Sequence, residues 1–224
     1  MKNCKTSENQ TMYRILRIAC ATALGAALTG SRPQSLRAAN IIPPPVPANL
    51  QVQAGNKAFL EGHAVGTQNY ICLPCSISLT CPSGFAFSLF TPEATLFEDN
   101  DKQVTTHFFS PNPSENGAIR ATWQDSKDSS IVWGGQAISS TDSAFVAPDA
   151  IPWLLLPEAG VQEGPTGGKT LSATTFIQRL NTHGGVAPSR GCSSPMNVGA
   201  RVFVPYTADY FFYKRAGGDA DGRN

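Results

Sequence analysis

Ala94-Thr95-Leu96-Phe97-Glu98-Asp99-Asn100-Asp101-Lys102-Gln103-Val104-Thr105-Thr106-His107-Phe108-Phe109 decides how the chain is read. Two runs rich in β-branched and aromatic residues flank Glu98-Asp99-Asn100-Asp101, and an acidic turn between two apolar runs is the pattern of an antiparallel hairpin. Working outward from 94–98 and 103–109, similar runs recur at 68–73, 85–90, 118–123, 130–133, 144–147, 151–156, 173–180 and 201–213, with Gly, Pro, Asn, Asp or Ser between them. Gly134-Gly135 and Gly184-Gly185 supply turn positions tolerant of positive φ. Helical periodicity is nearly absent. Thr174 to Leu180 is long enough for one helical turn, but its Thr-Thr-Phe-Ile content favours a strand. Many short strands at close spacing predict an all-β, single-domain antiparallel β-sandwich or barrel with long loops. Pro205 inside the last run predicts an edge position or a bulge there. The loops around Pro111-Asn112-Pro113 and from Glu158 to Thr170 are expected to be the mobile segments.

The N-terminus reads differently. Lys2, Lys5, Arg14 and Arg17 precede an apolar run from Ile18 to Leu28, the layout of a secretory signal, and that run is too short to cross a bilayer as a helix. Small residues at Thr29-Gly30 and Ala38-Ala39 place cleavage between 30 and 40, so 1–39 is assigned to the signal peptide. Lipidation at Cys20 is disfavoured because Arg17 stands where an apolar residue is wanted. Residues 40–57, with Pro43-Pro44-Pro45-Val46-Pro47, read as an extended Pro-rich spacer, 58–214 as the β-rich domain and 215–224 as a disordered tail. From Asn40 onward eleven Lys and Arg face fifteen Asp and Glu, so the +1 of the whole chain becomes −4. The basic residues are scattered singly, which excludes a phosphate-tracking surface and makes nucleic acid an unsuitable partner.

Outside the signal stand Cys72, Cys75, Cys81 and Cys192. An even number of cysteines in an exported chain implies disulfides, with three possible pairings. Cys72 with Cys192 and Cys75 with Cys81 is the preferred pairing. The rival reading is metal at Cys72-x-x-Cys75, but zinc sites repeat that spacing or add paired histidines, and neither occurs here.

Chemistry-bearing motifs are scarce. Gly164-Pro165-Thr166-Gly167-Gly168-Lys169-Thr170 imitates a phosphate-binding loop, yet Glu163 stands where the first glycine is required, so it reads as a hairpin connection. No Gly-x-Ser-x-Gly elbow is present, and His63, His107 and His183 show no metal-ligand spacing. No cofactor is implied. Glu93, Glu98, Asp99, Asp101, Asp125 and Asp128 sit at or beside turns and read as solvated surface. Trp123, Trp133 and Trp153, with Tyr70, Tyr206, Tyr210 and Tyr213, offer flat apolar area with a polar handle suited to stacking on sugars. Trp153 inside Ile151-Pro152-Trp153-Leu154-Leu155-Leu156 is expected in the core, and Trp123, followed by Gln124-Asp125, at the surface.

Five ordered blocks carry a resemblance. Gly66-Thr67-Gln68-Asn69-Tyr70-Ile71-Cys72, Pro92-Glu93-Ala94-Thr95-Leu96-Phe97, Ile151 to Leu156, Ile177 to Pro188, and Val204 to Tyr213 resemble the signatures of the exported family catalogued as domain of unknown function 3455. The resemblance implies secretion and a β domain, and supports pairing Cys72 with Cys192, with Cys75 and Cys81 as additions of this chain. Fungal relatives often carry an automatic malate dehydrogenase label. That label is rejected here, since no Gly-x-Gly-x-x-Gly fingerprint follows a strand.

The reading that results is a secreted binding or cell-envelope-associated module, contacting a surface polymer such as glycan through Gln68, Tyr70, His107, Trp123 and Asn181. Two alternatives stand beside it: a hydrolase or metal-dependent enzyme centred on His107 with Asp125 or Asp209, and a structural coat or stress protein without a small ligand.

Overall fold

A computed structural model describes residues 40–217. The expected signal peptide and residues 218–224 of the expected tail lie outside the described residues. Nine strands follow in order: β1 Asn56–Pro74, β2 Phe85–Phe97, β3 Gln103–Asn112, β4 Ala118–Asp125, β5 Ile131–Gly134, β6 Ile138–Ser140, β7 Trp153–Gln162, β8 Phe176–Gly184 and β9 Arg201–Arg215. Every pairing is antiparallel. Neighbours run β5-β4-β3-β2-β1-β9-β8-β7, and β5 pairs back onto β7. The eight strands therefore close into a barrel, which removes the free edge along the paired stretches, while 85–93 of β2 extend past β3 and pair with β1 alone. One edge of β7 is shared: Trp153 to Leu155 pair with β6, and Glu158 to Gln162 with β5.

The hairpin at Glu98-Asp99-Asn100-Asp101 is present. Glu98 donates to the Lys102 carbonyl at 2.9 Å and Asp101, at φ 62°, donates back to Glu98. Runs 85–90 and 94–98 form one strand through Pro92, and run 144–147 is a turn, not a strand. Phe145 and Val146 both donate to the Asp142 carbonyl while the Asp142 carboxylate caps Ala144, which curls the chain before it can extend. Pro205 lies in β9 between β1 and β8, where its carbonyl accepts from Gly185. A strand residue points its N–H and C=O to the same edge. The missing N–H thus faces the side on which the β8 ladder ends, at Gly184 opposite Tyr206, and β1 loses no bond.

Small residues on β1 let the strands approach. A Cβ on Gly66 would stand 2.0 Å from the Glu93 carbonyl oxygen and 2.6 Å from the Ala94 Cα, so no side chain fits there. The barrel interior holds Ala64, Leu96, Val104, Trp123, Val132, Leu156, Ile177, Tyr210 and Phe212. A second cluster of Trp153, Leu155, Leu180, Phe211 and Tyr213 lies on the opposite face of β7, β8 and β9. This explains the unbroken Tyr210-Phe211-Phe212-Tyr213 run, since a strand covered on both faces needs no polar alternation. The cover is the segment before β1, which corrects its reading as a spacer. Ile41, Val46, Leu50 and Val52 pack onto that face, Leu50 is wholly buried, and its carbonyl accepts from Gln178 Nε2 at 2.6 Å.

The loops expected to be mobile are tied down. Glu158 to Gln162 belongs to β7. Near Pro111-Asn112-Pro113, Asn112 donates to Glu115 and the Ala159 carbonyl, and Arg120 grips Glu115 through two bonds of 2.7 and 2.8 Å. Gly164 to Thr170 is the connection leading from β7 toward β8, and Asp128 fastens it by accepting from the Thr170 amide and hydroxyl and from the Ser130 amide. Partial burial pushes the Asp128 carboxyl up, but these hydrogen bonds outweigh it and hold it far below the ordinary carboxylate range. Asp128→Ala is expected to lower stability by about 1 to 2 kcal/mol at neutral pH, visible as a lower urea midpoint at unchanged slope. Because the folded carboxyl ionises below the unfolded one, that contribution is present above the unfolded value near 4 and fades as pH falls toward the folded one.

Candidate functional site

One end of the barrel is open, and a cavity of about 470 Å³ descends from it. The floor is aromatic. His107 on β3 stacks on Trp123 of β4 with centroids 4.3 Å apart and planes at 7°, and the Trp123 ring meets Tyr210 of β9 edge-on at 5.5 Å. The cross-strand pair His107 and Trp123 sets this stack. Leu89, Phe109, Ile119, Ala121, Ile151, Leu154 and Leu156 make the walls apolar. Gln68 and Tyr70 of β1 and Arg179 of β8 add polar groups, and Gly134 to Ala137 form part of the rim.

These polar groups are nearly enclosed. His107 is 4 % exposed and its Nδ1 faces the Thr122 carbonyl at 2.9 Å, so Nδ1 carries the proton and Nε2 is the acceptor. Burial, opposed by the Thr122 bond and aided by the positive Arg179, lowers its pKa to about 3. The ring is thus a neutral imidazole at any physiological pH. Tyr70 donates to the Gly185 carbonyl at 2.6 Å, and burial raises its pKa. Gln68 is 2 % exposed and its Nε2, although near enough to the Tyr206 hydroxyl to favour the ionised phenol, completes no hydrogen bond; neither does Trp123 Nε1. Arg179 is 8 % exposed, and its Nε and Nη2 both donate to the Pro152 carbonyl.

Four of the five residues expected from sequence therefore line one cavity: Gln68, Tyr70, His107 and Trp123. Two corrections accompany this. Trp123, at 1 % exposure, is not a surface platform, because its inward position on β4 places it under His107 and Tyr210. Asn181 is elsewhere, at the register shift of β8, donating to Asp209 at 2.7 Å. Among the described residues no carboxylate or second imidazole is hydrogen-bonded to His107, and neither Asp125 nor Asp209, the acids the enzyme reading named, lines this cavity. Arg179 was missed. Its signal was in Ile177-Gln178-Arg179-Leu180, where strand alternation puts a lone arginine on the same face as the core residue Ile177.

A second cluster escaped the sequence reading. On the outer side of β1 and β9, His63 places Nδ1 2.6 Å from Asp209 Oδ1 and Nε2 2.9 Å from Asp99 Oδ1. Glu61, His63 and Asp209 bring possible ligand atoms within 4.8 Å of one another, but both imidazole nitrogens are already engaged by carboxylates. The bond to Asp209 raises the His63 pKa against a smaller opposing effect of burial, with Asp99 and Glu61 adding to the rise. An NMR titration is expected to place His63 above its ordinary 6.5, and Asp209→Asn to bring it back toward that value. The pair stabilises the fold fully below the unfolded value and loses that contribution as pH rises through the folded one. Solvent access keeps the effect small.

The family model described as "Protein of unknown function (DUF3455)" matches residues 53–214. The chain belongs to this family. No curated protein and no solved structure matches it. The DUF3455 match runs from just before β1 to the end of β9, so the barrel and its open end fall inside it while Ile41, Val46 and Leu50 precede it. Disulfides join Cys72 to Cys192 and Cys75 to Cys81, with Cα atoms 5.5 and 6.5 Å apart. No helix among the described residues is long and apolar enough to cross a membrane.

Proposed function

We propose that the protein is an exported β-barrel that holds a small, mostly apolar molecule in the open end of its barrel. The cavity carries this reading: about 470 Å³, walled by aliphatic and aromatic side chains with a few converging polar groups, is the size and character of small-ligand sites. Enclosure of Trp123 favours a molecule inside the barrel over a glycan stacked outside it, and the neutral His107, bonded to the Thr122 carbonyl with no carboxylate among its hydrogen-bond partners, favours binding over hydrolysis. Export is supported by the signal-like run Ile18 to Leu28 and by the two disulfides. Apolar side chains pointing into the barrel, with Glu61, His63 and Asp209 outside, oppose the arrangement of a membrane-spanning barrel.

The neutral fluorophore N-phenyl-1-naphthylamine is expected to bind the purified protein at one site, and Ala121→Trp, which fills the cavity, to abolish that binding with the circular dichroism spectrum retained. Absence of binding, or binding untouched by Ala121→Trp, sinks the proposal. Export is checked by mass spectrometry of the N-terminus of protein recovered outside the cytoplasm, expected to begin between residues 30 and 40.

A further inference from the structure

The cavity contains an uncompensated charge. Two arginines line it, Arg120 and Arg179. Arg120 is neutralised by Glu115 through two hydrogen bonds. Arg179 forms no ion pair among the described residues, and the cavity lining includes no Asp or Glu. A guanidinium carries five N–H donors. Nε and Nη2 share the Pro152 carbonyl at 3.3 and 2.8 Å, which leaves three N–H groups without an acceptor among the described residues. Two further donors on residues that line the same cavity, Gln68 Nε2 and Trp123 Nε1, are buried without a completed hydrogen bond. A buried charge is tolerated where a counter-ion completes it, and orphaned donors call for an acceptor.

We infer that the ligand is an anionic amphiphile whose carboxylate or similar oxyanion is held by Arg179 and Gln68 while its apolar body lies against the walls around Leu154 and Leu156. The inference rests on the cavity-binding reading above and adds the charge of the ligand. A planar guanidinium matches a carboxylate through paired N–H bonds, and hydrogen bonds of this charge-assisted kind are about twice as strong as neutral ones. An alcohol of the same chain length fills the same space without that match.

The test displaces bound N-phenyl-1-naphthylamine with decanoate and with decanol at pH 8. Decanoate is expected to act at a concentration about tenfold or more below decanol. Arg179→Gln is expected to close that gap through loss of decanoate potency, with circular dichroism reporting the fold, and Arg179→Lys to keep part of it. Equal potency of acid and alcohol on the unaltered protein overturns the inference and leaves the cavity reading standing, and this comparison decides even where Arg179→Gln does not fold. Displacement by neither compound also overturns it. Failure of the fluorophore itself to bind removes the cavity reading first.

Discussion

Trp123→Ala is expected to lower the free energy of unfolding by about 3 to 5 kcal/mol, the range for deleting a buried aromatic side chain. The ring is the floor of the open end and a member of the barrel core at once. It stacks on His107 and meets Tyr210 and Phe212 edge-on, the latter with centroids 6.0 Å apart, so its removal strips partners from β3 and β9 together. No neighbour can collapse into the gap without leaving the rigid ladder of a closed barrel, which puts the cost at the upper part of that range. A second readout separates this role from general loosening. With the stacked ring gone, water reaches His107, and its pKa is expected to climb from about 3 toward the ordinary value. Urea unfolding gives the first quantity and an NMR titration the second. A loss below about 1 kcal/mol would show that the ring is not part of the core.

Paired Cys72→Ser and Cys192→Ser substitutions are expected to cost about 5 kcal/mol in the loop-entropy account, because the bond closes a loop of 120 residues. Removing Cys75–Cys81, six residues apart, is expected to cost about 2 kcal/mol on the same account. The larger bond also has a local task. Cys72 exchanges hydrogen bonds with Gly199 and Ala200, so the end of β1 and the start of β9 are joined by backbone and sulfur together. Thermal unfolding of the two paired variants, each compared with the unaltered protein, checks the ranking. Equal losses would contradict it.

The sequence spoke most clearly where a single period governs a strand. Alternation and turn chemistry marked the hairpin around Asp101 and most of the barrel, because a half-buried strand must alternate. Closure was not visible, since β5 meets β7 through four residues whose pairing depends on the whole ring. The role of Ile41 to Val52 was hidden for a related reason: proline-rich backbone reads as linker until the apolar face it covers is known. The site was half legible. Gln68, Tyr70, His107 and Trp123 stood out by residue type, whereas Arg179 looked like an ordinary strand arginine, and only its missing counter-ion makes it informative. Asp99, His63 and Asp209 are far apart along the chain and meet only because β1 lies between β2 and β9.

The shared edge of β7 has a consequence for how this architecture can vary. β5 and β6 occupy successive stretches of that edge, and Gly134 to Ala137 passes between them along the rim of the cavity. Closure of the ring runs through Ile131 to Gly134 against Glu158 to Gln162 and through the Gly135 amide, which donates to the Pro157 carbonyl at 2.7 Å, so only Gln136 and Ala137 of the link carry no part of it. Lengthening or trimming them would widen or narrow the doorway while the staves of the cask stay in place. Selectivity and stability are thereby separated along the chain, and each is free to drift without dragging the other.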